Sequence, residues 1–274
     1  MKIYVSADIE GIGCVVRQEQ SSPAGREYTW ARKMMTEEVN AAVKGAFDGG
    51  ATEVIVSDSH NVGLNLIPED LDERASLIMG SPRPLTMMEG INAGFDAAFL
   101  VGYHAMAGTE NSTIVHIFTG RIAGVWMNNQ SLGEIGLSAA LAGNFGVPIA
   151  LVTGDENTIA EAQDLLEGIE TAAVKKGIGS YAALCLPPKR SRNLIYESAQ
   201  MAMSRKPDWR PFRIEGKVDL RVQFTTASGA DRALRLPGVE KIDGKTVGFR
   251  AGDFLDAFKA FNTMADLIEL VPYI

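Results

Sequence analysis

Asp8-Ile9-Glu10 closes a short β-forming run, Ile3-Tyr4-Val5, and is followed at once by Gly11 and Gly13. Residues two apart on a strand share a face, so strand geometry carried through residue 10 projects both carboxylates to one side. Two like charges so placed repel unless a cation neutralises them or one keeps its proton. The two glycines are expected to turn the backbone tightly and to let a ligand approach. The chain has three histidines, His60, His104 and His116. Two of them come just after apolar runs: Val54-Ile55-Val56 precedes Asp58-Ser59-His60, and residues 97–101 precede Gly102-Tyr103-His104. In open α/β sheets, ligands bind at the carboxyl ends of the strands. Carboxylates and neutral imidazoles gathered there suit zinc or a similar divalent ion. More carboxylate than one ion needs suggests two ions sharing a bridging carboxylate and a bridging hydroxide. A solvated acidic strand-to-loop junction is the plain alternative. No H-E-x-x-H spacing occurs, so joint placement carries the argument.

The elements needed to hold these groups are legible in the periodicity. Residues 28–49 carry Ala31, Met34, Met35, Val39, Ala42, Val43 and Ala46 at intervals of three and four. That spacing predicts an amphipathic helix, stopped by Gly49-Gly50. With strands at 3–5 and 53–57 on either side, it forms a β-α-β unit with a parallel pair. Further strands are expected at 77–79, 97–101, 113–118, 125–127, 148–153 and 171–174, and helices at 86–92, 134–141, 155–166 and 187–204. A histidine within a β-branched strand such as 113–118 is, by itself, a hydrogen-bonded core residue. Past a proline-containing link at 206–213, strands at 218–224, 239–242 and 246–249 mix with helices at 229–234 and 253–270. The expected class is α/β: a largely parallel sheet flanked by helices over residues 1–206, with a smaller α+β domain or extension over 207–274.

Composition narrows the partners. A chain of 274 residues, 46% hydrophobic and 22% charged, buries a substantial core as one large domain or two smaller ones. Its formal charge of −8 argues against nucleic acid, which needs a basic face. No apolar run is long enough to span a bilayer, and none follows Met1-Lys2 in the manner of a signal peptide. Cys14 and Cys185 show no C-x-x-C spacing, which suits free thiols in a reducing compartment. The expected address is the cytoplasm.

Six stretches carry a resemblance to a known family. They are Ser6-Ala7-Asp8-Ile9-Glu10-Gly11, Met35-Thr36-Glu37-Glu38, Asp58-Ser59-His60, Met88-Glu89-Gly90, Gly102-Tyr103-His104-Ala105 and Gly133-Glu134-Ile135-Gly136-Leu137. Together, over nearly the whole chain, they resemble the DppA-type D-aminopeptidases, zinc metallopeptidases of bacterial dipeptide-transport operons. The resemblance implies metal ligands at Asp8, Glu10, His60, His104 and Glu134. It also implies a catalytic histidine at His116, aligned through Ile117-Phe118-Thr119-Gly120. Two Zn2+ per subunit are implied, with Mn2+ or Co2+ able to substitute. Asp8 would bridge them, Glu10 and His60 completing one site, His104 and Glu134 the other. His116 would serve as general acid/base, oxyanion stabiliser or nucleophile. The family further implies a homo-oligomer, a ten-subunit double ring enclosing the active sites. The apolar tail 267–274 would bury at such an interface or pack on its own domain.

The implied function is aminopeptidase cleavage of short peptides, with a D-residue at the N-terminus, by a metal-bridging hydroxide. Two alternatives stand beside it: a two-metal amidase or esterase of another substrate class, and a non-catalytic peptide-binding protein on the same scaffold. Around the site, Asp58 either orients His60 or caps a loop by bonding backbone amides. Cys14 reads as a small buried filler, and Glu37-Glu38 as the solvated face of a helix.

Overall fold

The computed structural model describes residues 1–269; residues 270–274, the end of the apolar tail, lie outside the described residues. The chain begins with β1 (Lys2–Ala7), a short α1 (Gln18–Ser21), α2 (Tyr28–Asp48), β2 (Glu53–Asp58), β3 (Ala75–Ile78) and β4 (Ala97–Val101). It continues through β5 (Ile122–Met127), β6 (Gln130–Ser131), α3 (Glu134–Asn144), β7 (Ile149–Asp155), α4 (Glu156–Leu165), β8 (Glu170–Gly179) and β9 (Ala182–Cys185). Then follow α5 (Pro188–Ser204), β10 (Val218–Phe224), α6 (Ala227–Ala233), β11 (Val239–Lys241), β12 (Thr246–Ala251) and α7 (Phe254–Glu269).

Seven strands form one sheet in the order β3-β2-β1-β4-β7-β8-β9. All its pairings are parallel except the last, where β9 folds back on β8. The central strands are covered on both faces, which is why β1 and β4 read as unbroken apolar runs. Ile3, Val5, Phe99 and Val101 join a cluster under α2 and α5, while Tyr4, Ala98 and Leu100 face the opposite side. There they meet a second, antiparallel sheet of order β11-β12-β10-β5-β6 with α3 and α7. The second sheet is not made from residues 207–274 alone, since β5 and β6 supply two of its five strands. No helix among the described residues is long and apolar enough to cross a membrane.

Three stretches differ from the sequence expectation. Residues 113–118 form no strand: Ile114 and Phe118 have φ of 55° and 59°, left-handed values that a β-ladder does not accommodate. Residues 86–92 form two 3-10 turns, Thr86–Met88 and Ile91–Ala93, parted by Gly90 at φ 91°. The hairpin strand β9 was not expected: its run Ala182–Cys185 is apolar but short and holds no β-branched residue.

Candidate metal centre

Register brings the chemistry together. Ala7 pairs with Asp58 on one side and with Val101 on the other, so the residues after β1, β2 and β4 emerge side by side. The loops are stitched by Asp8 N donating to Val101 O at 2.8 Å and Gly11 N donating to Gly102 O at 2.7 Å. This approach needs glycine at both positions. A β-carbon at Gly11 would overlap the Tyr103 carbonyl oxygen, and one at Gly102, where φ is 72°, would overlap the Asp8 carbonyl. The glycines thus admit a neighbouring loop rather than a ligand. Glu134 arrives from elsewhere, as the first residue of α3.

The four groups at the strand ends converge with Glu134 in one buried centre. Asp8 directs Oδ1 at His60 Nδ1 (3.2 Å) and Oδ2 at His104 Nε2 (3.6 Å). Glu10 Oε2 lies 3.0 Å from His60 Nδ1, and Glu134 Oε1 lies 3.3 Å from His104 Nε2. The remote nitrogen of each histidine is taken by a backbone carbonyl: His60 Nε2 by Ser21 O (2.8 Å), His104 Nδ1 by Ala105 O (3.0 Å), His116 Nδ1 by Ile114 O (2.8 Å). With a proton held there, the nitrogen facing the carboxylates is the one that would be available to a metal, as in other ligating imidazoles. Asp8 Oδ2, Glu10 Oε2 and His104 Nε2 are buried and, beyond the facing atoms of this centre, have no hydrogen-bond partner among the described residues. Buried polar atoms are rarely left so unless an ion or water completes them. The donor set of imidazole nitrogen and carboxylate oxygen fits zinc. Two triads have their ligand atoms within 4.8 Å of one another, Asp8–Glu10–His104 and His104–His116–Glu134.

The protonation states of the bare polypeptide say the same. Burial, and then Glu10, pushes the Asp8 carboxyl up to about 7. Burial opposes charge on Glu10 as well, but His60 outweighs it and holds that carboxyl well below its ordinary value. Burial likewise works against charge on His104, yet Glu134 and Asp8 lift it to about 10. The polypeptide alone balances its carboxylates with protons; a divalent cation would take their place.

His116 is positioned differently. Its ring stacks on His104, centroids 4.1 Å apart and planes within 15°, and burial, then His104, lowers its proton affinity. The loop bearing it is tied down by side chains. Asp155 Oδ2 accepts from Ser112 Oγ (2.6 Å) and Thr113 N (3.0 Å), and Glu134 Oε1 accepts from Phe118 N (2.6 Å). Backbone donors spent this way cannot join a sheet.

Of two supporting residues, one carried no signal in the sequence and the other was expected elsewhere. Lys175 is buried, and its ammonium donates to the carbonyls of Glu10 (2.5 Å), Ile12 (3.1 Å) and Val15 (2.5 Å), holding the loop after Asp8. A register shift between β7 and β8, where Asp155 pairs with Lys175, turns the lysine inward against the strand alternation. Glu38, expected on a solvated helix face, is instead buried, accepting from Gly13 N (3.1 Å) and from the Ser191 hydroxyl of α5. Glu37 does reach the partly exposed side, where it pairs with Arg192. Asp58 does not touch His60; it accepts from Asn65 N (2.5 Å), Asn65 Nδ2 (2.7 Å) and Leu66 N (2.7 Å), a loop cap. Cys14 is half-buried rather than a core filler, its thiol 3.6 Å from Leu186 O, and both cysteines are free.

The centre opens into a cavity of about 810 Å3. A buried carboxylate–imidazole centre at the strand ends of a parallel sheet defines an α/β metallohydrolase. Comparison with known proteins makes this specific. The family model for D-aminopeptidase (peptidase M55) matches residues 1–263. A D-aminopeptidase of Bacillus subtilis (strain 168) is 36% identical over 268 residues, 97% of each chain. The solved structure of the Zn-dependent D-aminopeptidase DppA from Bacillus subtilis, described as a self-compartmentalizing protease, superimposes with a TM-score of 0.97 at 35% identity, covering 100% of both chains. The chain belongs to the D-aminopeptidase family.

Proposed function

We propose that this protein is a two-zinc aminopeptidase that removes an N-terminal D-residue from short peptides. The observation that carries the reading is Asp8, whose two oxygens face two different histidines, with Oδ2 left unpartnered. A carboxylate so placed suits a bridge, with Glu10 and His60 on one ion and His104 and Glu134 on the other. Zinc in these positions would supply a Lewis acid and a water acidified toward neutrality; Mn2+ or Co2+ suits the same oxygen and nitrogen donors.

His116 keeps its Nδ1 proton on Ile114 O, so Nε2 is the atom free to take a proton from the attacking water and return it to the leaving amine. Its lowered proton affinity keeps it in the neutral, accepting form near pH 7. The triad His104–His116–Glu134 favours a second reading, in which His116 is itself a ligand. The cavity is of the size that encloses a small ligand, which suits peptides of a few residues. We further propose a cytoplasmic homo-oligomer, a decameric double ring, in line with the self-compartmentalizing architecture of the structurally similar protein.

Removing metal with a chelator and assaying D- and L-aminoacyl peptides before and after adding zinc tests the reading. Activity on D-aminoacyl peptides should vanish and return. Turnover indifferent to chelation, or confined to N-blocked amides, would overturn it.

A further inference from the structure

Arg83 lines the same cavity as Asp8, Glu10 and His116, in a stretch to which no function has been attached above. It is the one lysine or arginine among the described residues lining that cavity; the other formal charges there, Asp8, Glu10, Glu134 and Asp266, are acidic. The guanidinium is held in place without being neutralised. Nη1 donates to Ser57 Oγ at 3.0 Å and Nη2 to Asp58 O at 2.6 Å, both neutral acceptors. Nε is buried with no partner, and no carboxylate pairs with Arg83 among the described residues. An arginine fixed on a cavity wall with two of its five donors used is a ready partner for a planar anion.

Its place in the fold says which anion. Ser57 and Asp58 close β2, and Asp58 pairs with Ala7 at the end of β1. Arg83 therefore leans on the strand beside the one that leads into Asp8, at a residue two before His60. The cavity is thus bipolar, with an acidic centre at one end and an isolated cation close by. A dipeptide has the matching polarity: an ammonium at one end and a carboxylate about one residue, roughly 3.5 Å, beyond the bond to be cut.

We infer that Arg83 binds the free C-terminal carboxylate of the substrate, making dipeptides the preferred substrate class. The inference rests on the aminopeptidase reading and adds the length and the far end of the substrate. An anchor engaged equally in the ground and transition states acts on KM rather than kcat.

The test compares kcat/KM for D-alanyl-glycine, D-alanyl-glycinamide, D-alanyl-glycyl-glycine and D-alanyl-isoglutamine, the last carrying only a side-chain carboxylate. The wild type should favour the free dipeptide over its amide by about tenfold to a hundredfold, the value of one charged hydrogen-bonded contact. In Arg83→Met that ratio should fall to near one through a rise in KM for the dipeptide, and Arg83→Lys should restore part of it. Metal content and melting temperature of both variants show whether the fold is kept. A wild type without preference, or variants in which dipeptide and amide lose activity in parallel, overturns the assignment while leaving the aminopeptidase reading intact. Equal preference for the tripeptide, or for the side-chain carboxylate, overturns the dipeptide C-terminus as what Arg83 reads. A wild type that cleaves none of the four overturns the aminopeptidase reading and the assignment with it.

Discussion

His104 and His116 stack face to face, yet the chain delivers them by opposite means. His104 follows β4, and its position is set by backbone register with β1 and β7, reinforced by Gly11 and Gly102. His116 lies on a loop without regular structure, and its position is set by the carboxylates of Asp155 and Glu134 gripping neighbouring backbone amides. Register-held groups are as rigid as the sheet. Loop-held groups are as rigid as the few bonds that hold them. The fold thus gives the strand-end ligands a stiff frame and leaves the proposed proton carrier on a loop held by Asp155 and by one of the proposed ligands, Glu134. Loss of the His116 side chain should accordingly spare metal binding, whereas loss of Glu134 should disturb both.

The largest effect that would sharpen this contrast is expected from His116→Ala. The variant should retain its metal and its melting temperature while kcat falls by about a hundredfold to ten-thousandfold, the usual worth of a general acid/base. Metal loss on elemental analysis would make His116 a ligand, and near-normal turnover would remove it from the mechanism. A smaller effect is expected from Asp155→Ala, which cuts the tether. Asp155 also caps α4 through Asn157 N (3.1 Å) and Thr158 N (2.9 Å), so stability should fall by about 1–2 kcal/mol from the cap alone. With metal retained, kcat should drop about tenfold to a hundredfold, as for other orienting partners. Lower stability with unchanged kcat would show that the tether does not position His116.

The smallest effect concerns the frame itself, where Glu38 supports the loop after Glu10. Burial raises its carboxyl from the ordinary 4.5 to about 7. Between those values the folded protein keeps a proton that the unfolded chain releases. The stability this group contributes is therefore complete below about pH 4.5 and lost as the pH rises through 7. Glu38→Gln should gain stability relative to wild type on going from pH 5 to pH 8, by at most about 3 kcal/mol. Denaturant titrations at the two pH values check the sign; a gain in the opposite direction would show that Glu38 is charged in the folded state.

The same contrast explains what was legible in the sequence. Apolar runs ending in Asp8, His60 and His104 announced parallel strands and a site at their carboxyl ends, because burial on both faces leaves a plain hydrophobic signature. Glu134 and His116 carried no such local signal and were reached through family resemblance. The β-branched residues around His116 suggested a strand, but its backbone amides were already committed to side chains far along the chain. Glu38 looked exposed because its partner Ser191 lies 153 residues away, and Lys175 carried no signal because its inward position depends on a register shift between β7 and β8. β5 and β6 joined the second sheet against chain order, which periodicity does not report.

Zinc stoichiometry in wild type, Asp8→Ala and Glu10→Ala, measured by elemental mass spectrometry on folded protein, addresses the central claim most directly. A two-metal site bridged by Asp8 should bind about two ions per chain in the wild type. Asp8→Ala should lose occupancy at both positions, whereas Glu10→Ala should lose it mainly at one. Equal single-ion losses in the two variants would contradict the bridge, and a wild type that binds no metal would contradict the centre itself.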